Sequence, residues 1–127
     1  MINGVILHQQ INIFKLHSLE SLCDELNLRL VPIRPEDRST PLGILAGSPD
    51  AGPEKKNLPS TEFSPEPREM LVLCGLTPEL LDRFLTEFRK REIPPIELKA
   101  VLTSHNVSWT PGKLQTELIK ESRAFSR

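Results

Sequence analysis

Cysteine is scarce in this sequence, and no apolar stretch is long. The only two cysteines, Cys23 and Cys74, are too few for a disulfide framework, and both lie in apolar segments. We therefore expect two reduced, buried thiols in a reducing compartment. No apolar run approaches the roughly 20 residues that span a bilayer, and the first residues lack the basic region and cleavage site of a signal peptide. These absences predict a cytoplasmic protein without membrane contact.

An excess of charge of one sign is also missing. Lys and Arg together number 16 and Asp and Glu 17, which gives a formal net charge of −1. A protein that binds a nucleic-acid phosphate backbone is expected to carry a basic excess. We therefore expect no nucleic-acid partner.

Motifs that carry chemistry are absent as well. Gly43 and Gly47 are spaced like part of a glycine-rich loop, but no Gly-Lys-Ser/Thr ending follows, and helix packing and capping explain them. The sequence has no Gly-x-Ser-x-Gly elbow and no Cys-x-x-Cys pair. Its carboxylates are scattered along solvated helix faces. We therefore expect no metal site, no cofactor and no catalytic residues, and an enzyme is the less favoured interpretation.

Proline, by contrast, is abundant, with 12 residues. Eight of them fall between Pro32 and Pro67 and divide the chain, whose length fits one domain. The interpretation is a single domain, 1–127, composed of a first half at 1–33, a proline-rich insert at 34–69 and a second half at 70–127.

The first half reads as strand, helix and strand. Residues 4–9 are aliphatic and β-branched, which is typical of a strand. Leucines then recur at spacings of three and four, which predicts an amphipathic helix that ends at Asn27. Residues 28–33 alternate as a half-buried strand does, and Pro32 favours a strand end or a sheet edge.

The second half repeats this order and adds a helix. Residues 70–74 form an apolar run that predicts a strand, and Thr-Pro at 77–78 predicts the capped start of a helix. Acidic residues in the first turn of that helix and basic residues in its last turn suit the helix dipole. Residues 96–103 read as a strand, and a second Thr-Pro pair, at 110–111, predicts a C-terminal helix.

The insert contains one segment with a regular pattern. Residues 41–46 predict a short helix that ends at Gly47. Residues 48–67 consist mostly of Pro, Ser, Glu, Lys and Gly. Loops of this length are uncommon in compact domains, so we expect an extended or mobile segment there.

The order of elements favours a ferredoxin-like α+β fold, a β-α-β, β-α-β sandwich with a C-terminal helix and the proline-rich insert. In that plan the sheet is four-stranded and antiparallel, and the first and third strands are central. A parallel doubly wound sheet is the alternative, although four strands make a small one.

The two central strands predict burial on both faces of the sheet, because their apolar residues are consecutive. Two helices cover one face. The other face requires the C-terminal helix, the short helix of the insert or a second subunit. A homodimer is therefore the expected partnership, with another protein as the alternative.

One polar corner is the candidate site. Since the last strand is expected to run parallel to the third, the turn after it shares an edge of the sheet with the end of the third strand. Free helix N–H groups at that edge suit an anion or a carboxylate. The residues predicted to border a ligand there are Cys74, Thr77, Ser104, His105, Asn106 and Trp109.

Three interpretations of this corner remain open. In the first, it is a structural turn, and Trp109 packs the final helix. In the second, it is a small pocket with His105 as the titrating group and Trp109 as an apolar wall. The third is catalysis by Cys74 and His105, which would need an exposed thiol with a lowered pKa. The favoured function is a non-enzymatic binding or interaction module, and the alternative is a small-molecule or anion sensor, or a minor enzyme.

The second half resembles an uncharacterised bacterial family known as a domain of unknown function. The resemblance rests on residues 70–76, on the helix after them, on Lys-Ala-Val-Leu-Thr at 99–103, and on Asn106, Trp109 and Thr110. Residues 42–47 also look like a recurring piece of such proteins. The resemblance implies no activity.

Overall fold

The computed structural model describes residues 2–47 and 66–125. These residues form β1 (Gly4–Gln9), α1 (Ile13–Leu26), β2 (Leu28–Pro32), α2 (Leu42–Leu45), β3 (Met70–Cys74), α3 (Pro78–Lys90), β4 (Leu98–Val101) and α4 (Pro111–Phe125). A 3-10 helix, Pro35–Asp37, precedes α2. Most of the segment 48–67, expected to be extended or mobile, lies outside the described residues. Within the described ranges, no helix is both long enough and apolar enough to cross a membrane.

Capping residues confirm the predicted end of α1 at Asn27 and the predicted start of α3 at Thr77. Asn12 caps α1 by accepting a hydrogen bond from the Lys15 N–H at 2.9 Å. Asn27 ends α1 in the left-handed conformation, with φ at 59°. Thr77 caps α3 by accepting from the Leu80 N–H at 3.1 Å, and the proline after it occupies the first helical position.

The fourth strand is shorter than the sequence predicts, spanning Leu98–Val101 rather than 96–103. Ile96 is buried in the core ahead of the strand instead of pairing in it. After the strand, the Asn106 side chain accepts a hydrogen bond from the Thr103 N–H at 2.9 Å, which draws the backbone into a turn. Side-chain hydrogen bonds of this kind compete with the strand ladder.

The sheet is mixed, with strand order β2-β1-β3-β4, so the antiparallel ferredoxin-like expectation is wrong in its strand pairing. Each helix returns the chain to the strand directly beside the one it left, which makes β1 and β2 parallel and β3 and β4 parallel. The two β-α-β halves then join through antiparallel β1 and β3. The first and third strands are central, as predicted. Both arrangements share the same order of elements, so the order alone does not distinguish them.

Helices cover both faces of this sheet. Ile6, Leu71 and Leu73 face α1 and α3, in a cluster that includes Phe84 and Phe88. The opposite face of the sheet packs against α4, α2 and the Trp109 side chain. The sequence left three possible covers for this face: the C-terminal helix, the short helix of the insert and a second subunit. In the structure the two helices cover it. A bare sheet face is therefore no longer an argument for a homodimer.

Candidate functional site

The predicted corner lies where β3 and β4 end, but its thiol is inside the core. The Cys74 side chain is 4% exposed, and its Sγ lies 3.6 Å from the Val72 carbonyl oxygen. Burial raises the pKa of the Cys74 thiol to about 12. A thiol that stays protonated is not a nucleophile at neutral pH. Cys23, on α1, is buried with the same consequence, and its pKa is also raised to about 12 by burial and by the Asp24 carboxylate.

Thr77 is at the same edge of the sheet but belongs to the layer of α1 and α3. Its hydroxyl is exposed and engaged as the α3 cap. It borders an open depression of about 330 Å³ that is also lined by Asn3, Glu79, Leu80 and Arg83. Neither Cys74 nor the 104–109 turn lines this depression.

Asn106 holds the turn after β4 together. Its side chain accepts from the Thr103 N–H at 2.9 Å and donates to the Val101 carbonyl at 3.2 Å. The Leu102 N–H donates to the Leu73 carbonyl of β3, so the Val101 carbonyl points away from β3, towards the outer edge of the sheet. The Asn106 amide therefore closes part of an open strand edge. Both of its polar ends are used within the turn.

The remaining residues of the corner form an aromatic and basic cluster at the start of α4. The His105 ring meets the half-buried Trp109 ring edge to face, with centroids 5.3 Å apart. Lys113 Nζ lies 5.0 Å from the centre of the Trp109 ring. The Lys113 N–H donates to the Thr110 hydroxyl at 3.2 Å, which caps α4. Ser104 is exposed nearby. The structure thus brings the His105 and Trp109 rings into contact and places Lys113 beside them.

A buried amide pair lies at the opposite edge of the sheet, where β1 ends and β3 begins. Gln9 Nε2 donates to Gln115 Oε1 at 2.9 Å and to the Arg68 carbonyl at 2.9 Å. Gln115 Oε1 also accepts from the Arg68 N–H at 2.9 Å, and Gln115 Nε2 donates to the Glu66 carbonyl at 2.9 Å. The two amides therefore tie the start of the second half to the end of β1 and to α4.

Charged side chains surround the same edge and are paired. Lys15 Nζ lies 2.5 Å from Glu69 Oε2 and donates to the Pro95 carbonyl at 2.9 Å. The other Glu69 oxygen accepts from the Glu97 N–H at 3.0 Å, and Glu97 Oε2 lies 2.9 Å from Arg68 Nη1. Two bases and two acids thus balance each other. On β1, burial lowers the pKa of His8 below its usual range, against the opposing charge of Glu20.

An exposed apolar pair directly precedes Lys15 in the first turn of α1. Ile13 is 73% exposed and Phe14 83% exposed. The other exposed large apolar side chains of the described residues, Ile2 and Val101, are less exposed, at 48% and 43%, and both lie towards the other edge of the sheet. Sequence reasoning missed this pair. The pair could have been recognised in the sequence, because Ile13 and Phe14 directly follow the N-cap Asn12 and do not belong to the regularly spaced leucines of the helix.

No metal site is built by the part of the chain that the structure describes. Within residues 2–47 and 66–125, no group of three or more His, Cys, Asp and Glu side chains could hold a metal ion.

The arrangement is that of an α+β protein whose mixed sheet joins two β-α-β halves. Residues 69–125 match the model of a family described as a domain of unknown function, DUF3783. The match spans β3, α3, β4 and α4, which confirms the resemblance read from the second half of the sequence. No curated protein matches the chain, and no solved structure does. The family brings no established activity.

Proposed function

We propose that this protein is a non-enzymatic interaction module that forms a homodimer through the Ile13–Phe14 pair. The observation that carries the proposal is the exposure of two adjacent large apolar side chains, 73% and 83%, on one helical turn. Apolar surface left in water at one place is typical of an interaction site, whereas single scattered residues are not.

The charges around the pair favour a second copy of the chain as the partner. Lys15 and Arg68 are each paired with a carboxylate, Glu69 and Glu97. A two-fold contact brings the same patch of both copies together, so a patch of one sign would repel itself. Here both signs are present in equal number, and the apolar pair is complementary to itself. Aromatic side chains are frequent anchors of such contacts.

Replacing Phe14 by serine is expected to weaken the dimer by at least about tenfold in dissociation constant, because a central aromatic contact contributes more than ~1.4 kcal/mol. Sedimentation equilibrium of the full chain over a wide range of concentration measures this. Phe14 is outside the core, so we expect the unfolding curve to be unchanged at protein concentrations at which the wild-type chain is monomeric.

Ile2→Ser is the matched control, since Ile2 is also exposed but lies before β1, at the other edge of the sheet. It should leave the dissociation constant unchanged. A wild-type chain that stays monomeric at every concentration contradicts the proposal. So does a dimer that Phe14→Ser does not weaken.

A second candidate function is supported by the cluster of His105, Trp109 and Lys113. Two basic side chains flank the ring of the only tryptophan in the chain, beside the start of a 15-residue helix. Such a surface suits a small anion. We propose that this cluster is the anion-sensing site predicted at the corner. Ser104 borders it, and Asn106 holds the turn in place.

Inorganic phosphate is expected to change the Trp109 fluorescence saturably if this second function holds. Lys113→Gln should weaken the effect about tenfold, the loss that corresponds to one hydrogen bond to a charged group of ~1.5 kcal/mol. Lys120→Gln, on the same helix but paired with Glu117, is the control. Fluorescence that phosphate does not change, or that Lys113→Gln and Lys120→Gln affect equally, would exclude the anion site.

A further inference from the structure

The two halves are related by a constant shift of 65 residues, in backbone conformation as well as in order. Gln10 and Gly75, each after a central strand, both have positive φ, at 56° and 77°. Asn12 and Thr77 both cap the following helix, and those helices begin at residues 13 and 78. The correspondence ends at the left-handed residues Asn27 and Glu92, with φ at 59° and 57°.

Core residues follow the same shift. Leu19 corresponds to Phe84 and Cys23 to Phe88, and all four are buried in the cluster between the helices and the sheet. After Glu92 the halves diverge, because β2 begins directly after Asn27 whereas β4 begins only at Leu98. The first half is therefore a structural copy of the β-α-β unit that the family model matches in the second half.

The contact between the copies is a two-fold seam. In the antiparallel register of β1 and β3, Val5 lies opposite Cys74, Leu7 opposite Val72 and Gln9 opposite Met70. When each residue is replaced by its equivalent 65 positions away, the pair Val5–Cys74 becomes the pair Met70–Gln9. The pair Leu7–Val72 becomes itself and so marks the centre of the ladder. A seam of this kind joins equivalent edges of two units, as an isologous interface between subunits does.

The connection between the two units is short and lies on the surface. The second unit includes α2, because Leu42 and Gly43 donate to the Trp109 and Val107 carbonyls at 2.8 and 2.9 Å. The first unit ends at the buried Ile33. For the two units to separate, only the backbone of residues 34–41 would have to change its conformation. They include the exposed Arg34 and a single 3-10 turn.

We propose that the seam between β1 and β3 is exchangeable, so that two copies of this chain can trade their first β-α-β units. The exchanged dimer keeps the β1–β3 ladder, the Gln9–Gln115 pair and the Lys15–Glu69 pair, each now formed between chains. Since these contacts are the same in both states, the balance depends on the 34–41 connection and on protein concentration. This contact is separate from the Ile13–Phe14 pair.

A thiol introduced opposite Cys74 tests the exchange in the full chain. In a Val5→Cys, Cys23→Ala variant, the new thiol faces Cys74 across a pair of antiparallel strands, a separation that a disulfide can span. The variant is unfolded in urea and refolded under oxidising conditions at several protein concentrations. We expect an intrachain disulfide at low concentration and a disulfide-linked dimer without free thiols at high concentration, on non-reducing gels and by intact mass.

Two controls make the outcome specific. Adding Cys74→Ser should abolish the intrachain disulfide and the dimer linked by two disulfides, and adding Phe14→Ser should leave that linked dimer in place. Intrachain disulfides alone at every concentration overturn the proposal, as does a linked dimer that disappears with Phe14→Ser. If the thiol variant does not fold, native mass spectrometry replaces it, applied to Phe14→Ser protein that has been refolded as a mixture of isotopically labelled and unlabelled chains. Mixed dimers in Phe14→Ser protein are then expected, and their absence overturns the exchange.

Discussion

Replacing Phe84 by alanine is expected to lower the free energy of unfolding by about 3–5 kcal/mol, the usual cost of deleting a fully buried phenyl ring. Phe84 is 0% exposed and fills the space between α3 and the sheet, with its ring centroid 6.1 Å from that of Phe88. Phe84 belongs to a buried cluster with leucines of α1 and of the sheet, and closely packed neighbours of this kind relax only partly into a cavity. Domains of this size are stable by about 5–15 kcal/mol, so the loss is a large fraction of the total.

Urea denaturation followed by far-ultraviolet circular dichroism measures this loss. Phe14→Ala is the matched control, because it removes the same ring from a site that is 83% exposed. At protein concentrations at which the wild-type chain is monomeric, we expect the free energy of unfolding of this control to change by no more than about 0.5 kcal/mol, the range usual for surface substitutions. Equal losses in the two variants would show that Phe84 does not form part of the core.

Local sequence patterns predicted the individual elements well, for a physical reason. Caps, helix-breaking prolines and apolar spacing act within a few residues, so Thr77 and Pro78 determine where α3 begins whatever surrounds it. The repeated β-α-β order was visible for the same reason. The C-terminal end of β4 was predicted less accurately, because the strand is ended by the Asn106 side chain, which lies in the turn after it.

Strand pairing could not be read from the same patterns. The apolar residues of β1 and β3 predict that both strands are central and buried, and the structure confirms this. A central strand can nevertheless be parallel or antiparallel to each neighbour without any change in its own sequence. In the structure each helix leads back to the adjacent strand, after one linking residue in the first half and after residues 91–97 in the second, so the length of the linker does not reveal the pairing either.

The candidate site shows the same limit of local reasoning. His105 and Trp109 are four residues apart in the chain, and the structure brings their rings into contact. Asn106 was predicted to border a ligand, yet its amide is engaged by the backbone of its own turn. The paired charges of Lys15 and Glu69 were missed because 54 residues separate them in the chain.

The burial of Gln115 could have been predicted from the sequence. It follows Leu114 directly in a helix whose apolar face covers the sheet, and it is 0% exposed. A polar residue on the buried side of a helix requires a hydrogen-bond partner, since burial without one is costly. Sequence alone gives no means of choosing Gln9, which lies 106 residues away.

Replacing Gln115 by leucine is therefore expected to cost about 2–3 kcal/mol of unfolding free energy, although leucine matches its size and suits the apolar surroundings. The change removes its hydrogen bonds with the Gln9 amide, the Arg68 N–H and the Glu66 carbonyl. Groups that lose a partner while buried cost about 1–3 kcal/mol each, and Arg68 and Glu66 recover part of this from water because they are exposed. Thr116→Val, the neighbouring position on the helix, is the control and should cost less than about 1 kcal/mol.

A double-mutant cycle with Gln9→Met shows whether the two amides act as a pair. Gln9 Oε1 is buried and has no hydrogen-bond partner among the residues that the structure describes, so removing the Gln9 amide also removes an unsatisfied acceptor. We therefore expect the double variant to lose less stability than the sum of the two single variants, by about 1 kcal/mol. Additive losses would mean that Gln115 acts only through the backbone of residues 66 and 68. Non-additive losses would identify the Gln9–Gln115 pair as a specific bond across the seam that joins the two halves, the same seam at which exchange between copies would occur.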